Sequence, residues 1–267
     1  MQGLERFLSE IRASGITLNL KKCTFAKGAV RFVGHLIGSG RRRADPDKVA
    51  TVYALRAAET KKQLRQILGF FSFFRDYLPN FAEIARPLTD LTVKRVPNRI
   101  PWGEAQQRSL DKLKELLVEA TINPLAIVDM EKPFNIYVDA SDYAAGGILT
   151  QTMDDETEKP IAFASCKFNS TQRNWATIEK EAFSAIWALQ KFKHWVFGKP
   201  VTLCTDHNPI TYLTESSPKS AKLMRWMLAI SEFEVNFKYR AGRLNEAADC
   251  VSRMTTSPGD ETQSGIE

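Results

Sequence analysis

Four acidic residues, each at the edge of a predicted secondary-structure element, constrain this chain more than any other feature. Asp139 and Asp206 each end an apolar stretch that predicts a strand, and Glu181 lies within a long helical segment. Asp249 stands near the start of a final helical segment. Strands of nearly continuous apolar character are typical of a sheet covered on both faces, so the acids are predicted to lie at the ends of a buried sheet.

The long helix at 171–196 is predicted from one apolar stripe with helical spacing. The stripe consists of Ile178, Ala182, Ala185, Leu189, Phe192 and Val196. Glu181 borders this stripe, where a carboxylate is costly to bury unless a cation meets it. Glu179 lies two residues earlier, and it is predicted to face solvent.

The other segments of the second half predict an order of three strands, the long helix, a strand, helices, a strand and a helix. Further strands are predicted at 144–149, 161–165 and 233–240, and a further helix at 218–230. The segment 233–240 alternates apolar and polar residues, which is typical of a strand with one solvated face. This order predicts an α/β fold for the second half of the chain.

Four carboxylates that converge from separate elements repel one another unless divalent cations lie between them. Each acid alone is more typical of a helix cap or a solvated residue than of a metal ligand, but the four together favour a metal site. Ligands that are all oxygen favour Mg²⁺ or Mn²⁺ over zinc. Two such ions can activate water and stabilise a leaving alkoxide, so the sequence predicts a metal-dependent nuclease.

Composition excludes several other classes of protein. The chain has 267 residues, 43% of them hydrophobic, which suffices for the core of one large domain or two ordinary ones. Its four cysteines are scattered without a C-x-x-C pair, which argues against a disulfide scaffold or a zinc site. No signal peptide and no membrane helix is predicted, because no segment is apolar for long enough. We therefore expect an intracellular protein, cytoplasmic or nuclear, with no membrane partner.

Basic charge is concentrated in the first half of the chain. Residues 1–130 hold 22 Lys and Arg against 13 Asp and Glu, whereas the whole chain has a net charge of +6. A basic excess in one region favours binding to nucleic acid, although solvated helix faces give the same pattern.

The first half is predicted to be mainly helical. The predicted elements are a helix at 4–14, short extended pieces at 17–20, 23–25 and 30–37, a polar turn at 38–43, helices that begin at Asp45 and near Thr60, a tether at 89–101 and a helix at 104–119. Asp45-Pro46 is a typical helix start, with a capping acid followed by proline. The aromatic run at 68–77 is predicted to be buried in this helical region rather than to stack on bases.

The motifs around the four acids resemble the RNase H domain of Ty3/gypsy-type LTR-retrotransposon reverse transcriptases. They are Tyr137-Val138-Asp139-Ala140-Ser141, Glu179-Lys180-Glu181-Ala182, Thr205-Asp206-His207-Asn208-Pro209 and Asn245-x-x-Ala248-Asp249-x-x-Ser252-Arg253. Upstream motifs, among them Phe32-Val33-Gly34-His35 and Asp45-Pro46-Asp47-Lys48-Val49, resemble the end of the palm, the thumb and the connection of the same proteins.

The resemblance implies a fold and a division of the chain. The fold is α/β, a ribonuclease H-like mixed sheet with flanking helices, preceded by an α+β part and a mainly helical part. The implied units are the end of a palm at 1–44, a helical thumb and connection at 45–130, an RNase H-like domain at 131–254 and a disordered tail at 255–267.

The resemblance also implies an activity. Asp139, Glu181, Asp206 and Asp249 are implied to be catalytic and to hold two Mg²⁺ ions, with Mn²⁺ as a substitute. The implied substrate is the RNA strand of an RNA–DNA hybrid, and the implied partner is the rest of a retroelement polyprotein. Polymerase activity is not expected, because the Tyr-x-Asp-Asp box of the family is missing. The similar run at 152–155 lacks the tyrosine and is predicted to be a solvated loop.

Two alternatives stay open. The chain can be an inactive or domesticated retroelement remnant that acts at most by binding nucleic acid, since a young remnant would keep its acids. An integrase or transposase of similar fold is disfavoured, because the glutamate of such enzymes comes last among the acids, whereas Glu181 is the second of four.

Overall fold

The computed structural model describes residues 2–23, 25, 27–206 and 221–239. Two sheets organise this part of the chain, one of four strands and one of five. No helix in the described ranges combines the length and the apolar character that crossing a bilayer requires. Asp249, the helix predicted around it and the tail predicted at 255–267 lie outside the described residues.

The first sheet contains four short antiparallel strands: β1 (Ala29–Phe32), β2 (His35–Gly38), β3 (Arg41–Ala44) and β4 (Leu125–Ala126). The prediction of a polar turn at 38–43 was wrong for its arginines, which form strand β3. Only Ser39 and Gly40 turn the chain, and both have positive φ angles, 50° and 69°. A two-residue turn of this kind matches the twist of the strands it joins, so the arginines continue the hairpin.

Helices form most of the first half. They are α1 (Gln2–Ala13), α2 (Pro46–Val49), α3 (Lys61–Phe73), α4 (Phe81–Ile84), α5 (Arg86–Thr89) and α6 (Glu104–Ile122). The predicted start at Asp45 is confirmed, because its carboxylate accepts a hydrogen bond from the backbone N–H of Asp47. Thr60 and Gln63 form a capping box at the start of α3. The extended piece predicted at 17–20 was wrong, because its residues form no strand and Leu20–Lys22 is a 3-10 helix. The piece predicted at 23–25 includes a residue outside the described ranges.

The segment 89–101 is packed and is not a tether. Leu91 and Ile100 are buried in the helical core. The backbone N–H of Ile100 donates to the carbonyl of Glu59, and Lys61 Nζ donates to the carbonyl of Val93 at 2.7 Å. The polar composition of this segment concealed its two apolar anchors. In the aromatic run, Phe71, Phe74 and Tyr77 are buried but Phe73 is 50% exposed, so the predicted burial is confirmed for part of the run.

The second sheet has the strand order β7-β6-β5-β8-β9. Its strands are β5 (Phe134–Ala140), β6 (Ala144–Thr152), β7 (Glu158–Lys167), β8 (Val201–Thr205) and β9 (Val235–Tyr239). The first three strands pair antiparallel, whereas β8 runs parallel to both β5 and β9. The sheet is therefore mixed, as predicted.

Helices flank this sheet: α7 (Ser170–Arg173), α8 (Thr177–Lys191), α9 (Lys193–Val196) and α10 (Ala221–Ser231). The single helix predicted at 171–196 is interrupted twice, because Ala176 is extended and Phe192 leaves helical geometry. A Cβ added to Gly147 would lie 3.3 Å from the Cβ of Ala188, so α8 lies close against β6. Small residues on both elements permit this approach.

Candidate active site

Two of the predicted acids lie at the same end of neighbouring strands. Asp139 is in β5, and Asp206 directly follows β8. The two strands are parallel and in register at Tyr137 and Cys204, so each acid lies two residues beyond this pair. Parallel strands end at the same edge of a sheet, and the loops beyond that edge commonly carry functional residues.

Glu181 reaches this edge from α8. One carboxylate oxygen from each of Asp139, Glu181 and Asp206 lies within 4.8 Å of the other two. Glu181 is only 1% exposed, Asp206 is half-buried and Asp139 is exposed. The cluster therefore extends from a buried carboxylate to an exposed one, so it is closed toward the protein interior and open to solvent.

Three of the four acids implied by the sequence come together here, and the fourth, Asp249, lies outside the described residues. Glu179 does not join the cluster. Its carboxylate accepts a hydrogen bond from Lys222 Nζ at 2.8 Å and is half-buried, so the prediction that it faces solvent was only partly right. The ion pair ties α8 to α10.

A buried lysine beside the cluster was not predicted. Lys180 is 6% exposed, and its Nζ donates to Asp142 Oδ1 at 3.0 Å. Asp142 belongs to the turn that joins β5 to β6, three residues after Asp139. The only sequence signal for this contact was a lysine next to Glu181 on the same helix, and lysines on helices are usually solvated.

An aromatic group surrounds the ion pair between α8 and α10. Lys222 Nζ lies 3.5 Å from the ring centroid of Trp175 and 4.6 Å from that of Trp226. The two indole rings themselves meet edge to face, with centroids 5.6 Å apart. A cation held over two indole faces is favoured electrostatically, so this group fixes α10 beside the N-terminal end of α8.

Cys166 of β7 is not suited to nucleophilic catalysis. Burial raises the pKa of Cys166 to about 11, although Arg75 and a hydrogen bond with the backbone of Ala145 lower it. The thiol is therefore neutral near pH 7, whereas a nucleophile in catalysis has to be the thiolate.

The chemistry of the three carboxylates fits divalent metal. Their ligand atoms are all oxygen, which hard cations prefer. Ligand oxygens on opposite sides of Mg²⁺ stand about 4 Å apart, because each lies roughly 2.1 Å from the ion, so the spacing within this cluster suits one. Asp139, Glu181 and Asp206 can therefore hold a metal ion, which would relieve the repulsion between them.

A protein-family model matches this part of the chain. Residues 129–233 match the RNase H-like domain found in reverse transcriptase, a range that contains all three clustered acids. We call this matched range the RNase H-like domain.

Relatives of the chain are Ty3/gypsy-type transposon polyproteins. The Retrovirus-related Pol polyprotein from transposon opus of Drosophila melanogaster is 32% identical over 95% of this chain and 26% of the relative. The Transposon Tf2-3 polyprotein of Schizosaccharomyces pombe is 30% identical over 96% of this chain and 19% of the relative. The chain spans about a quarter or less of the length of these relatives.

Solved structures agree with the fold around the RNase H-like domain. The foamy viral protease-reverse transcriptase in complex with double-stranded DNA has a TM-score of 0.76 at 26% identity, over 89% of this chain and 42% of that one. The same enzyme in complex with an RNA/DNA hybrid has a TM-score of 0.77 at 22% identity, over 100% of this chain and 36% of that one. The likeness extends through the helical first half.

Proposed function

We propose that the chain hydrolyses the RNA strand of RNA–DNA hybrids, with Asp139, Glu181, Asp206 and Asp249 as catalytic metal ligands. The observation that carries this proposal is the carboxylate cluster at the shared edge of β5 and β8. The family match supports it, because the cluster lies within an RNase H-like domain.

The protein's own groups have distinct tasks in this proposal. The exposed Asp139 would contact both the metal and the substrate, whereas the buried Glu181 would hold the metal from the interior side of the cluster. Two bound Mg²⁺ or Mn²⁺ ions would supply the activated water and stabilise the leaving alkoxide. Asp249 would complete the set from the terminal helix, as the resemblance implies.

The substrate and the surroundings follow from the same proposal. The basic excess of residues 1–130 would hold the phosphate backbone of the duplex, and the 2′-hydroxyl would distinguish RNA from DNA. A hybrid substrate implies action inside the cell, in cytoplasm or nucleus, as part of a retroelement polyprotein. We also propose the division into units 1–44, 45–130, 131–254 and a tail at 255–267.

The test is cleavage of end-labelled RNA annealed to DNA, with Mg²⁺ and with EDTA. We expect metal-dependent cleavage of the hybrid but not of double-stranded DNA. Asp139→Asn should lower the rate by about 10³-fold, because a metal site contributes several kcal/mol to the transition state. Asp249→Asn should have a comparable effect.

Asp154→Asn is the matched control, because Asp154 is an acid of the same domain whose side chain is 95% exposed in the β6–β7 turn. It should cleave at the wild-type rate. A folded wild-type chain that binds the hybrid without cutting it would contradict the proposal and favour the inactive remnant.

A further inference from the structure

Asp139 lies level with one residue in each of two further strands of the sheet, β6 and β7. Asp139 pairs with Gly146 in β6, and Gly146 pairs with Ser165 in β7. These three neighbours form one row of the sheet, which we call the Asp139 row. Residues 75–86 of the helical first half contact this row and the turn next to it.

Ser165, at the outer end of the Asp139 row, is held by two groups of the helical region. Arg75 Nη2 donates to the carbonyl of Ser165 at 2.8 Å, and the backbone N–H of Ala82 donates to Ser165 Oγ at 2.8 Å. Ser165 is buried, so neither bond competes with bulk water. The segment between Arg75 and Ala82 is therefore fixed against the sheet.

Asn80 lies against the middle of the Asp139 row. A Cβ added to Gly146 would lie 3.1 Å from Asn80 Oδ1 and 3.8 Å from the carbonyl oxygen of Asp139. Asn80 has a left-handed backbone, with φ 50° and ψ 28°, which asparagine adopts more readily than most residues. Residue 146 is a glycine at a point where the helical region and the backbone of Asp139 both come close.

Arg86 holds the turn that follows Asp139. Its guanidinium carbon lies 3.6 Å from the ring centroid of Tyr143. The backbone of the same turn is closed by Ser141, whose Oγ accepts from the N–H of Ala144 at 3.1 Å. Lys180 of α8 holds the turn from the other side through Asp142. Arg86 is therefore a contact of the helical first half with a turn that begins two residues after Asp139.

We propose that residues 75–86 position Asp139, with Arg86 acting through Tyr143 and Asn80 acting through Gly146. The inference rests on the proposed nuclease function. If the helical first half only packed on the sheet, its contacts could fall anywhere on that sheet. The contacts observed here fall on the Asp139 row and on the turn between β5 and β6. A displacement of about 1 Å at a reacting group can cost as much as 10²-fold in rate, so a modest shift here is measurable.

Arg86→Ala tests the first contact, with Arg86→Lys as the conservative variant and Arg95→Ala as the matched control on an exposed arginine. We expect Arg86→Ala to lower kcat on the hybrid about tenfold with KM unchanged, because the stack over Tyr143 is lost. Arg86→Lys should recover most of kcat, since lysine keeps the cation over the ring. Arg95→Ala should match wild type.

Mn²⁺ binding, measured by calorimetry on the same four proteins, separates this inference from the nuclease proposal. We expect weaker Mn²⁺ binding in Arg86→Ala alone, even if the wild-type chain cuts nothing. The inference is overturned if Arg86→Ala binds Mn²⁺ as tightly and cleaves as fast as Arg95→Ala. It is also overturned if Arg86→Ala changes only KM and leaves kcat at the wild-type value. A loss of kcat that merely follows a lower melting temperature also overturns it.

Gly146→Ala tests the second contact. The added methyl group should lower kcat severalfold, because it would lie 3.1 Å from Asn80 Oδ1 and the side chain of Asn80 would have to shift. Combining it with Asn80→Gly should restore part of that loss, since glycine keeps the left-handed backbone and removes the side chain. If the double variant is no faster than Gly146→Ala, Asn80 does not act on the Asp139 row through Gly146.

Discussion

Buried polar side chains in the helical first half have different neighbours from the buried carboxylate in the RNase H-like domain. In the first half, the carboxylate of Asp45 caps α2, Lys61 Nζ donates to the carbonyl of Val93, and Ser109 Oγ donates to the carbonyl of Ile84. Among the described acids of the RNase H-like domain, Glu181 is the most deeply buried, and it lies beside two further carboxylates.

This difference separates structure from function by physical chemistry alone. A buried polar side chain that bonds to the backbone satisfies a backbone donor or acceptor, so its removal lowers the free energy of unfolding. A buried carboxylate beside other carboxylates lowers the free energy of unfolding unless a cation lies next to it. The first arrangement explains stability, and the second one marks a site.

The largest effect is expected from the core of the first half. Phe71→Ala should lower the free energy of unfolding by about 3–5 kcal/mol, because Phe71 is fully buried and truncation leaves a cavity. The measurement is urea denaturation followed by circular dichroism. This result would assign the stability of the helical region to its apolar core rather than to its polar contacts.

Phe73→Ala is the matched control, since Phe73 lies on the same helix and is 50% exposed. It should cost at most about 1 kcal/mol, because little apolar surface returns to water. Equal losses in the two variants would contradict the assignment of Phe71 to a closed core.

A second prediction sharpens the comparison within the RNase H-like domain. Gln151 is as buried as Glu181, and its side chain bonds to the backbone of Asp129 and Lys132. Gln151→Leu should therefore lower the free energy of unfolding by about 1–3 kcal/mol, because buried backbone groups lose partners. Thermal unfolding measures this, with the exposed Gln66→Leu as control.

If Gln151→Leu is neutral, burial of a bonded side chain does not distinguish structural polar groups from functional ones. In that case the contrast with Glu181 would fail. A loss equal to that of Gln66→Leu would have the same consequence.

The sequence predicted the RNase H-like sheet better than the first half because its strands carry long apolar runs that end in acids. Asp139, Glu181 and Asp206 could be placed at one edge from strand order and helix periodicity. Arg41–Ala44 could not be predicted as a strand, since three arginines resemble a solvated turn until Ser39 and Gly40 are seen to form the hairpin.

Contacts between the two halves were beyond sequence reasoning. Nothing in the local pattern at Arg86 indicates a stack over Tyr143, and nothing at Asn80 indicates proximity to Gly146. Such contacts depend on how two units pack, whereas periodicity reports only which face of one element is buried. The break at Phe192 was missed because the apolar stripe continues across it to Val196.

The smallest predicted effect concerns pH and the first half. Burial lowers the pKa of His35 below its ordinary value of 6.5, Arg42 lowers it further, and Asp76 raises it. The unfolded chain therefore binds a proton more readily, so stability is complete above about pH 6.5 and declines as pH falls below it.

Urea denaturation between pH 5 and 8 measures this decline, with His35→Gln as the comparison. The variant should lose less stability than wild type on acidification, because it lacks the titrating group. A wild-type chain that became more stable as the pH fell through this window would contradict the sign.

The central claim is that the buried carboxylate cluster is a metal site, and thermal unfolding of wild type and Glu181→Gln tests it most directly. Saturating Mn²⁺ should stabilise wild type by about 2.7 kcal/mol at 100 times the Kd, and the variant far less. Equal metal-induced shifts in the two proteins, or no shift in wild type, would contradict the account.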